Sequence, residues 1–154
     1  MDRLTTIMVR LSLSWLVVGF VVGAAMLTDR KLPGDWRVWL TPGHAHMLFV
    51  GWFLQFVLGI AYWLLPRKRT PELPYGYRET VAFGAVMALN LGLALRVVTE
   101  AWERAGHASD GTFWLLALSA LLQLGAAIAF VSQLWGRTAT RKRSNAPQAT
   151  ASGG

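Results

Sequence analysis

The sequence predicts an all-α integral membrane protein with four transmembrane helices in an up-down bundle. Apolar residues make up 54% of the 154 residues, charged residues make up 15%, and the mean hydropathy is +0.39. The charges are unevenly distributed along the sequence. Long stretches carry no charge, and such stretches are typical of membrane spans. These stretches do not alternate between apolar and polar residues with a period of two, which argues against paired strands.

Four segments reach the length of about 20 residues that a helix needs to cross a bilayer. We expect helices at residues 4–27, 43–65, 77–101 and 112–136. They form one transmembrane domain over residues 1–137, and the Ser-, Thr- and basic-rich residues 138–154 are expected to be a disordered tail. The first connection contains Pro33-Gly34-Asp35, which predicts a turn.

The distribution of Lys and Arg predicts that both termini are cytoplasmic. Ten of the 15 basic residues fall on the side of the termini and the second connection, and five fall on the other side. The ten are Arg3, Arg10, Arg67, Lys68, Arg69, Arg78, Arg137, Arg141, Lys142 and Arg143. We therefore expect a multi-pass protein of the bacterial cytoplasmic (inner) membrane. Its net charge of +7 indicates basic flanks at an anionic lipid surface and not a nucleic-acid partner.

The candidate metal ligands are the three histidines, which all fall on the outer side. The chain has no Cys, which excludes disulfides, thiolate metal sites, covalently attached c-type heme and iron–sulfur clusters. His44 and His46 open the second predicted helix, and His107 lies in the third connection. Neutral imidazole binds heme iron, copper or zinc. His44 and His46 lie about 200° apart on a helix, so they cannot chelate one tetrahedral zinc ion.

The two faces of the second predicted helix differ in composition. The face of His44 holds small and polar residues, namely Met47, Gly51, Gln55 and Tyr62. The face of His46 holds large apolar residues, namely Phe49, Val50, Phe53, Val57, Ile60 and Leu64. A neighbouring helix or a flat cofactor can approach the first face, so His44 is the better inward ligand. A distorted first turn after Pro42 would change this assignment.

Other polar residues lie at depth within the predicted spans. Gln55, Asn90 and Gln123 are near the middle of three helices. They either hydrogen-bond one another across the bundle or line a cofactor cavity or proton path. Arg96 and Glu100 are spaced (i, i+4), so they can pair. Arg96 either reaches the outer interface paired with Glu100 or has a function, because an ionisable group within a span is a functional candidate.

The second helix resembles a helix of a known family. The run Gly43-His44-Ala45-His46-Met47-Leu48-Phe49-Val50-Gly51-Trp52, continued by Ala61-Tyr62-Trp63-Leu64-Leu65-Pro66-Arg67, resembles the second helix of the heme-copper oxidase subunit I superfamily. That superfamily includes oxygen and nitric oxide reductases. Its second helix begins on the outer side with a His that ligates the low-spin heme, and it ends in an aromatic-x-x-Pro pattern.

The resemblance implies a heme b site at the outer end of the chain. His44 or His46 would be one axial ligand, His107 the candidate second ligand, and Arg96 the partner of a propionate. Gln55 would line the cofactor cavity, and Gly51 and Gly59 would leave room for the ring.

The departures from the family are large. The other three helices match it only in general character, and the three histidines do not supply the family's full ligand set. The chain is therefore not expected to reduce oxygen or nitric oxide by itself. Bis-histidine ligation leaves no open position on the iron and so favours electron transfer. The second ligand would come from His107, a symmetry mate or another subunit.

Three functions follow from these residues. The first is a membrane b-type heme protein, related to the oxidase subunit, in respiratory electron transfer. The second is a non-catalytic accessory or assembly subunit of a respiratory oxidase, which the mid-depth amides favour because they suit bonding between helices. The third, ranked last, is an outer-face copper protein with His44 and His46 as ligands, because Met26 and Met47 are its only soft ligands nearby. A homo-oligomer is compatible with a four-helix unit that holds one half of a heme site.

Overall fold

Four long helices form the computed structural model, which describes residues 2–28, 34–67 and 70–138. The helices are α1 (Arg3–Leu27), α2 (Trp36–Leu64), α3 (Glu79–Trp102) and α4 (Asp110–Thr138). Each is long and apolar enough to cross a membrane, and the described ranges contain no β-strand. The predicted all-helical fold with four span-length helices is confirmed. The predicted tail beyond Thr138 lies outside the described residues.

Helix α2 begins earlier than the sequence predicted. It starts at Trp36, and Pro42 lies inside it. A proline removes one backbone N–H from the helix. Here the residues before Pro42 stay helical, and the hydroxyl of Thr41 bonds back to the carbonyl of Arg37. One missing donor therefore does not end the helix.

The middle of α2 is a π-helix over Met47–Leu54. Its hydrogen bonds reach five residues back, so each turn holds more residues than a turn of α-helix. In a regular α-helix, residues four apart drift around the axis. The wider turns offset this drift, and residues at four-residue steps remain on one buried face: Gly43, Met47, Gly51, Gln55 and Gly59.

Helices α1 and α2 pack antiparallel along their length. The pairs in contact are Met8 with Gly59, Trp15 with Gly51, Gly19 with Leu48, and Gly23 with His44. A Cβ atom on Gly51 would lie 2.6 Å from Cγ of Trp15, so only glycine allows this approach. Small residues at such contacts are typical of helix packing in membranes.

Helices α3 and α4 form a second antiparallel pair, and α3 also packs against α2. A Cβ atom on Gly92 of α3 would lie 3.0 Å from the carbonyl oxygen of Ser119 in α4. Between α2 and α3, Gly43 lies against Val97. Successive helices therefore run in opposite directions, as an up-down bundle requires.

The two ends of the bundle differ in burial. We call the end where α1 and α3 begin and α2 and α4 end the terminal end, and the opposite end the histidine end. The buried core lies toward the terminal end: Leu4, Met8, Tyr62, Tyr77, Ala82, Ala85, Val86, Leu89, Ala126, Phe130 and Leu134. The predicted site residues His44, His46, Arg96 and His107 lie at the histidine end.

Candidate functional site

The imidazole of His44 lies between α2 and α1 and is held by a backbone carbonyl. Its Nδ1 is 3.0 Å from the carbonyl oxygen of Gly19, and its ring lies across Gly23. Because a carbonyl only accepts hydrogen bonds, Nδ1 donates the proton and Nε2 keeps its lone pair. No described residue bonds to Nε2. Metal-ligating histidines are held in this way, with the second ring nitrogen donating to a carbonyl or carboxylate.

Burial along α2 separates the two predicted faces. Met47, Gln55 and Tyr62, which share the face of His44, are at most 1% exposed. On the other face, Phe49 is 64% and Phe53 is 49% exposed. The prediction that the His44 face is the inward one is confirmed.

The ring of His46 is held by its own helix. Its Nδ1 is 2.9 Å from the carbonyl oxygen of Pro42, one turn earlier. The rings of Phe49 and Phe53 stack on the same side of α2, with centroids 5.9 Å apart. Both histidines are partly buried, but His46 bonds within its own helix, whereas His44 bonds to the neighbouring α1.

Gln55 is buried at a different depth from His44. Its Nε2 donates to the carbonyl oxygen of Met8 at 3.3 Å, whereas His44 bonds to Gly19, also in α1. Eleven residues separate Met8 from Gly19, which corresponds to about 16 Å along a helix axis. Gln55 and His44 thus do not share one contact point, and Gln55 serves the packing of α2 on α1.

Arg96 belongs to a charge cluster at the histidine end. Its Nε lies 3.5 Å from Oε2 of Glu100, and Nη2 of Arg104 lies 3.7 Å from Oε1 of the same carboxylate. The predicted pairing of Arg96 with Glu100 is confirmed. Two guanidinium groups share this carboxylate, and a second carboxylate, on Glu103 next to Arg104 in the chain, accepts from the hydroxyl of Thr112, so these four charged side chains have no net charge. Both arginines are partly exposed, and an anionic group can approach them.

His107 ends the π-helical turn Glu103–His107 that continues α3. Its ring stacks on Trp102 with centroids 4.4 Å apart and planes at 28°. Gly106 has a φ of +93°, which lets the chain reverse toward α4. The described contacts thus hold His107 against its own helix, and none joins it to His44.

The three mid-depth amides do not bond one another, contrary to the first of the two interpretations from sequence. Gln55 reaches Met8, as described above. Asn90 accepts a hydrogen bond from Nε1 of Trp15 at 2.8 Å, across α1 and α3. Gln123 donates to Ser119, whose hydroxyl donates to the carbonyl of Gly92 at 2.9 Å. Each amide finds a nearer partner because the side chains lie at different depths.

The cavities formed by the described residues of α1 to α4 are small for a tetrapyrrole. Gly51 and Gly59 do not leave room for a ring, because Trp15 and Met8 of α1 cover them. One groove of about 200 Å³ lies beside Gly43, and another of about 230 Å³ lies beside Gln123. Pockets that enclose a small-molecule cofactor usually measure about 300–1,000 Å³. Neither of these two grooves reaches the volume that such a cofactor needs.

Sequence reasoning missed a second polar site, at the terminal end. Arg137, in the last turn of α4, is 6% exposed. Its Nη2 donates to the carbonyls of Tyr62 and Leu65 at 3.0 and 2.7 Å, and its Nε donates to that of Pro66 at 3.2 Å. These carbonyls lie at the end of α2, where helices leave acceptors unsatisfied. The available signal was the position of Arg137, the first charge after the uncharged run 111–136.

Asp2 lies in the same region and begins α1. Its Oδ1 accepts from the N–H of Thr5 at 2.9 Å, and its Oδ2 is 2.9 Å from Nη2 of Arg67. Burial disfavours the ionised carboxylate, but the Thr5 hydrogen bonds and the charge of Arg67 outweigh it, so the pKa of Asp2 is lowered. Burial, followed by the charge of Asp2, raises the pKa of Tyr77. We call Asp2, Tyr62, Arg67, Tyr77 and Arg137 the Arg137 cluster.

Comparison with known proteins adds no family to these observations. No family model, no curated protein and no solved structure matches the chain. Within the described residues, no three His, Asp or Glu side chains come together as a metal site. The resemblance to oxidase subunit I therefore stays a prediction based on the sequence of α2.

Proposed function

We propose that the chain is a multi-pass protein of a bacterial cytoplasmic membrane, with both termini inside and the histidine end outside. The four span-length helices and the large apolar side chains exposed on all of them support insertion. The excess of Lys and Arg on the side of the termini supports this orientation.

The absence of Cys makes the orientation directly testable. Ala108→Cys would place a single thiol at the histidine end, and Thr138→Cys would place one at the terminal end. We expect a membrane-impermeant maleimide to label the first variant in intact cells and the second only after the membrane is opened. The reverse pattern would contradict the proposed orientation.

Within this membrane protein, His44 is proposed as one axial ligand of a b-type heme, in a respiratory electron-transfer protein related to heme-copper oxidase subunit I. The observation that carries the proposal is the hydrogen bond from Nδ1 of His44 to Gly19, which orients the ring and leaves the Nε2 lone pair without a partner among the described residues. A bound heme would supply one-electron redox chemistry at its iron.

The other residues at the histidine end have supporting roles in this proposal. Gly23 lets the His44 ring lie against α1, where a Cβ would be 2.9 Å from Cε1. The guanidinium groups of Arg96 and Arg104 are partly exposed and can form charge-assisted hydrogen bonds with anionic propionates on this side. The second axial ligand and the rest of the heme pocket are assigned to His107 after rearrangement, to a second copy or to another subunit.

Titration of the purified full-length protein with hemin tests this function. We expect the wild type to develop a Soret band that saturates with added hemin, and His44→Gln to lose at least tenfold in affinity. His46→Gln is the matched control, because it removes an imidazole two residues away on the outward face. His107→Gln tests the second ligand by a change in the position of the band.

Two outcomes would contradict heme ligation by His44. One is a wild type that binds hemin no better than His44→Gln. The other is an equal loss in His44→Gln and His46→Gln, which would indicate nonspecific binding to surface imidazoles. Thermal unfolding of each variant without hemin shows whether the substitutions leave the fold intact.

A second candidate function is a non-catalytic accessory subunit of a respiratory oxidase. It is favoured by the contacts between helices at positions where the resemblance implies a cofactor: side chains of α1 cover Gly51 and Gly59, and the mid-depth amides bond within the protein. In that case the tagged chain would co-purify with a larger complex that carries oxidase heme spectra. His44→Gln would leave both the co-purification and the spectra unchanged.

A further inference from the structure

The Arg137 cluster contains more positive than negative charge. Its two guanidinium groups, on Arg67 and Arg137, share the single carboxylate of Asp2. That carboxylate pairs directly with Arg67, at 2.9 Å. Glu79 lies near Tyr77, but its charge is not among those that act on Arg137. The cluster therefore has an excess of one positive charge.

The groups in direct contact with Arg137 are neutral. Three backbone carbonyls accept its hydrogen bonds, and its guanidinium carbon lies 5.6 Å from the centroid of the Tyr62 ring. Carbonyl oxygens and aromatic rings carry only partial charges. They therefore stabilise the guanidinium of Arg137 less than a neighbouring anion would. A buried charge without a counter-charge is costly, above all at the edge of an apolar bundle.

Three buried polar atoms of the cluster have no hydrogen-bond partner among the described residues: Nη1 of Arg137, the hydroxyl oxygen of Tyr62 and Oδ2 of Asp2. Oδ2 of Asp2 still has its ion pair with Arg67, whereas Nη1 of Arg137 has no ion pair among the described residues either. Arg137 is 94% buried and Tyr62 is fully buried. Nη1 carries two N–H donors, and buried donors normally have acceptors. Both the excess charge and the unused donors call for an anion with several acceptor oxygens.

The position of the cluster indicates which anion is available. Arg137 lies where the apolar surface of α4 ends, beside the exposed Trp135. Tryptophan at the end of an apolar helix is typical of the headgroup level of a bilayer. Phosphate is the anionic group of phospholipids at that level, and guanidinium groups bind phosphate oxygens in pairs.

We propose that the Arg137 cluster binds a phosphate group, supplied by a phospholipid headgroup, through the guanidinium of Arg67 and, once the side chains around it move aside, through Nη1 of Arg137, which is enclosed by protein. Arg67 is the more exposed of the two, at 16%, and is the first group that a headgroup meets. The bound phosphate neutralises the cluster and accepts from Nη1. The headgroup then joins the ends of α2 and α4 to the lipid surface. This inference rests on the proposed insertion into a membrane, but it does not depend on the proposed heme function.

Lipid-dependent thermal unfolding of the full-length protein tests the site. Delipidated protein in phosphate-free dodecyl maltoside is heated with dioleoylphosphatidylglycerol or with dioleoylglycerol, which has the same acyl chains and no phosphate. At about a hundredfold excess over the Kd, we expect the phospholipid to raise the Tm of the wild type by roughly 5 °C. We expect no rise with dioleoylglycerol.

Two arginine variants assign the effect to the cluster. Arg137→Gln should lose the rise produced by the phospholipid relative to its own lipid-free Tm. Arg78→Gln is the matched control, because it removes the same charge from an exposed position at the same end. It should keep the rise. If Arg137→Gln does not fold, Arg67→Gln takes its place and should bind the phospholipid at least tenfold more weakly.

The remaining outcomes either overturn the proposal or identify the source of the bound phosphate. Equal rises with the phospholipid and dioleoylglycerol, or equal rises in Arg137→Gln and Arg78→Gln, would overturn it. Potassium phosphate without lipid is the third arm. If that salt alone produces the rise in the wild type but not in Arg137→Gln, the phosphate site is supported and free phosphate is its source. If only the phospholipid produces the rise, the headgroup is the source.

Discussion

The two ends of the bundle use charged side chains in different ways. At the terminal end, Arg137 is buried and donates three hydrogen bonds to backbone carbonyls at the end of α2. At the histidine end, Arg96 is partly exposed and makes a longer ion pair with Glu100 at 3.5 Å. His44 there keeps one ring nitrogen free of protein partners among the described residues. The comparison indicates that the buried guanidinium of the terminal end joins two helices, whereas the charged side chains of the histidine end stay partly exposed.

The largest expected effect on stability follows from removing the Arg137 side chain. Arg137→Gln leaves buried carbonyls of α2 without a charged donor, so we expect the free energy of unfolding to fall by about 2–4 kcal/mol. His44→Gln at the other end should cost about 1 kcal/mol or less, because it removes one hydrogen bond to Gly19. Chemical unfolding in detergent, followed by tryptophan fluorescence, measures both. Equal losses would remove the distinction between the two ends.

Two glycine substitutions, one at a packed position and one at an open position, test how tightly α1 packs against α2. Gly51→Ala would place a Cβ 2.6 Å from Trp15 and 2.8 Å from Leu93. We expect this overpacking to cost about 1–3 kcal/mol in the same unfolding measurement. Gly125→Ala is the matched control, because nothing lies within 4 Å of its Cβ position. It should leave stability unchanged or raise it by up to about 1 kcal/mol, since alanine favours the helix. A neutral Gly51→Ala would show that α1 shifts to accommodate a methyl group.

The sequence predicted the helices better than it predicted their contacts. Runs of apolar residues determine span length, and the alternation of small and large residues on α2 identified its inward face. The π-helix at Met47–Leu54 was not predicted, because no residue type marks it and it depends on packing against α1. The partners of Asn90 and Gln123 were also missed, since depth along a helix does not determine which neighbouring side chain is nearest. Arg137 was counted only as a basic flank, although α2 ends beside it in space.

The hydrogen bond between Trp15 and Asn90 tests the middle of the bundle, between the two ends. Trp15→Phe removes the Nε1 donor at 2.8 Å from Asn90 and keeps an aromatic ring against Gly51. Bonds between helices in membranes average about 0.6 kcal/mol and reach about 1.7 kcal/mol. We expect a loss in that range, which a double-mutant cycle with Asn90→Ala assigns to the pair. Additive losses in the cycle would show that the bond contributes nothing to stability.

The smallest expected effect is the pH dependence of the Asp2 contacts. The folded pKa of Asp2 is lowered, so its stabilising contribution is complete above the unfolded pKa of about 3.9 and disappears as the pH falls through the lower folded value. Asp2→Asn should therefore be less stable than the wild type at neutral pH, and the difference should shrink in acid. Asp110→Asn, an exposed position at the histidine end, is the control and should follow the wild type throughout. If the curves of wild type and Asp2→Asn stay parallel down to strong acid, the carboxylate does not stabilise the start of α1 through its charge. In that case Arg67 at the terminal end would be held by its hydrogen bond to the carbonyl of Tyr62 and by packing.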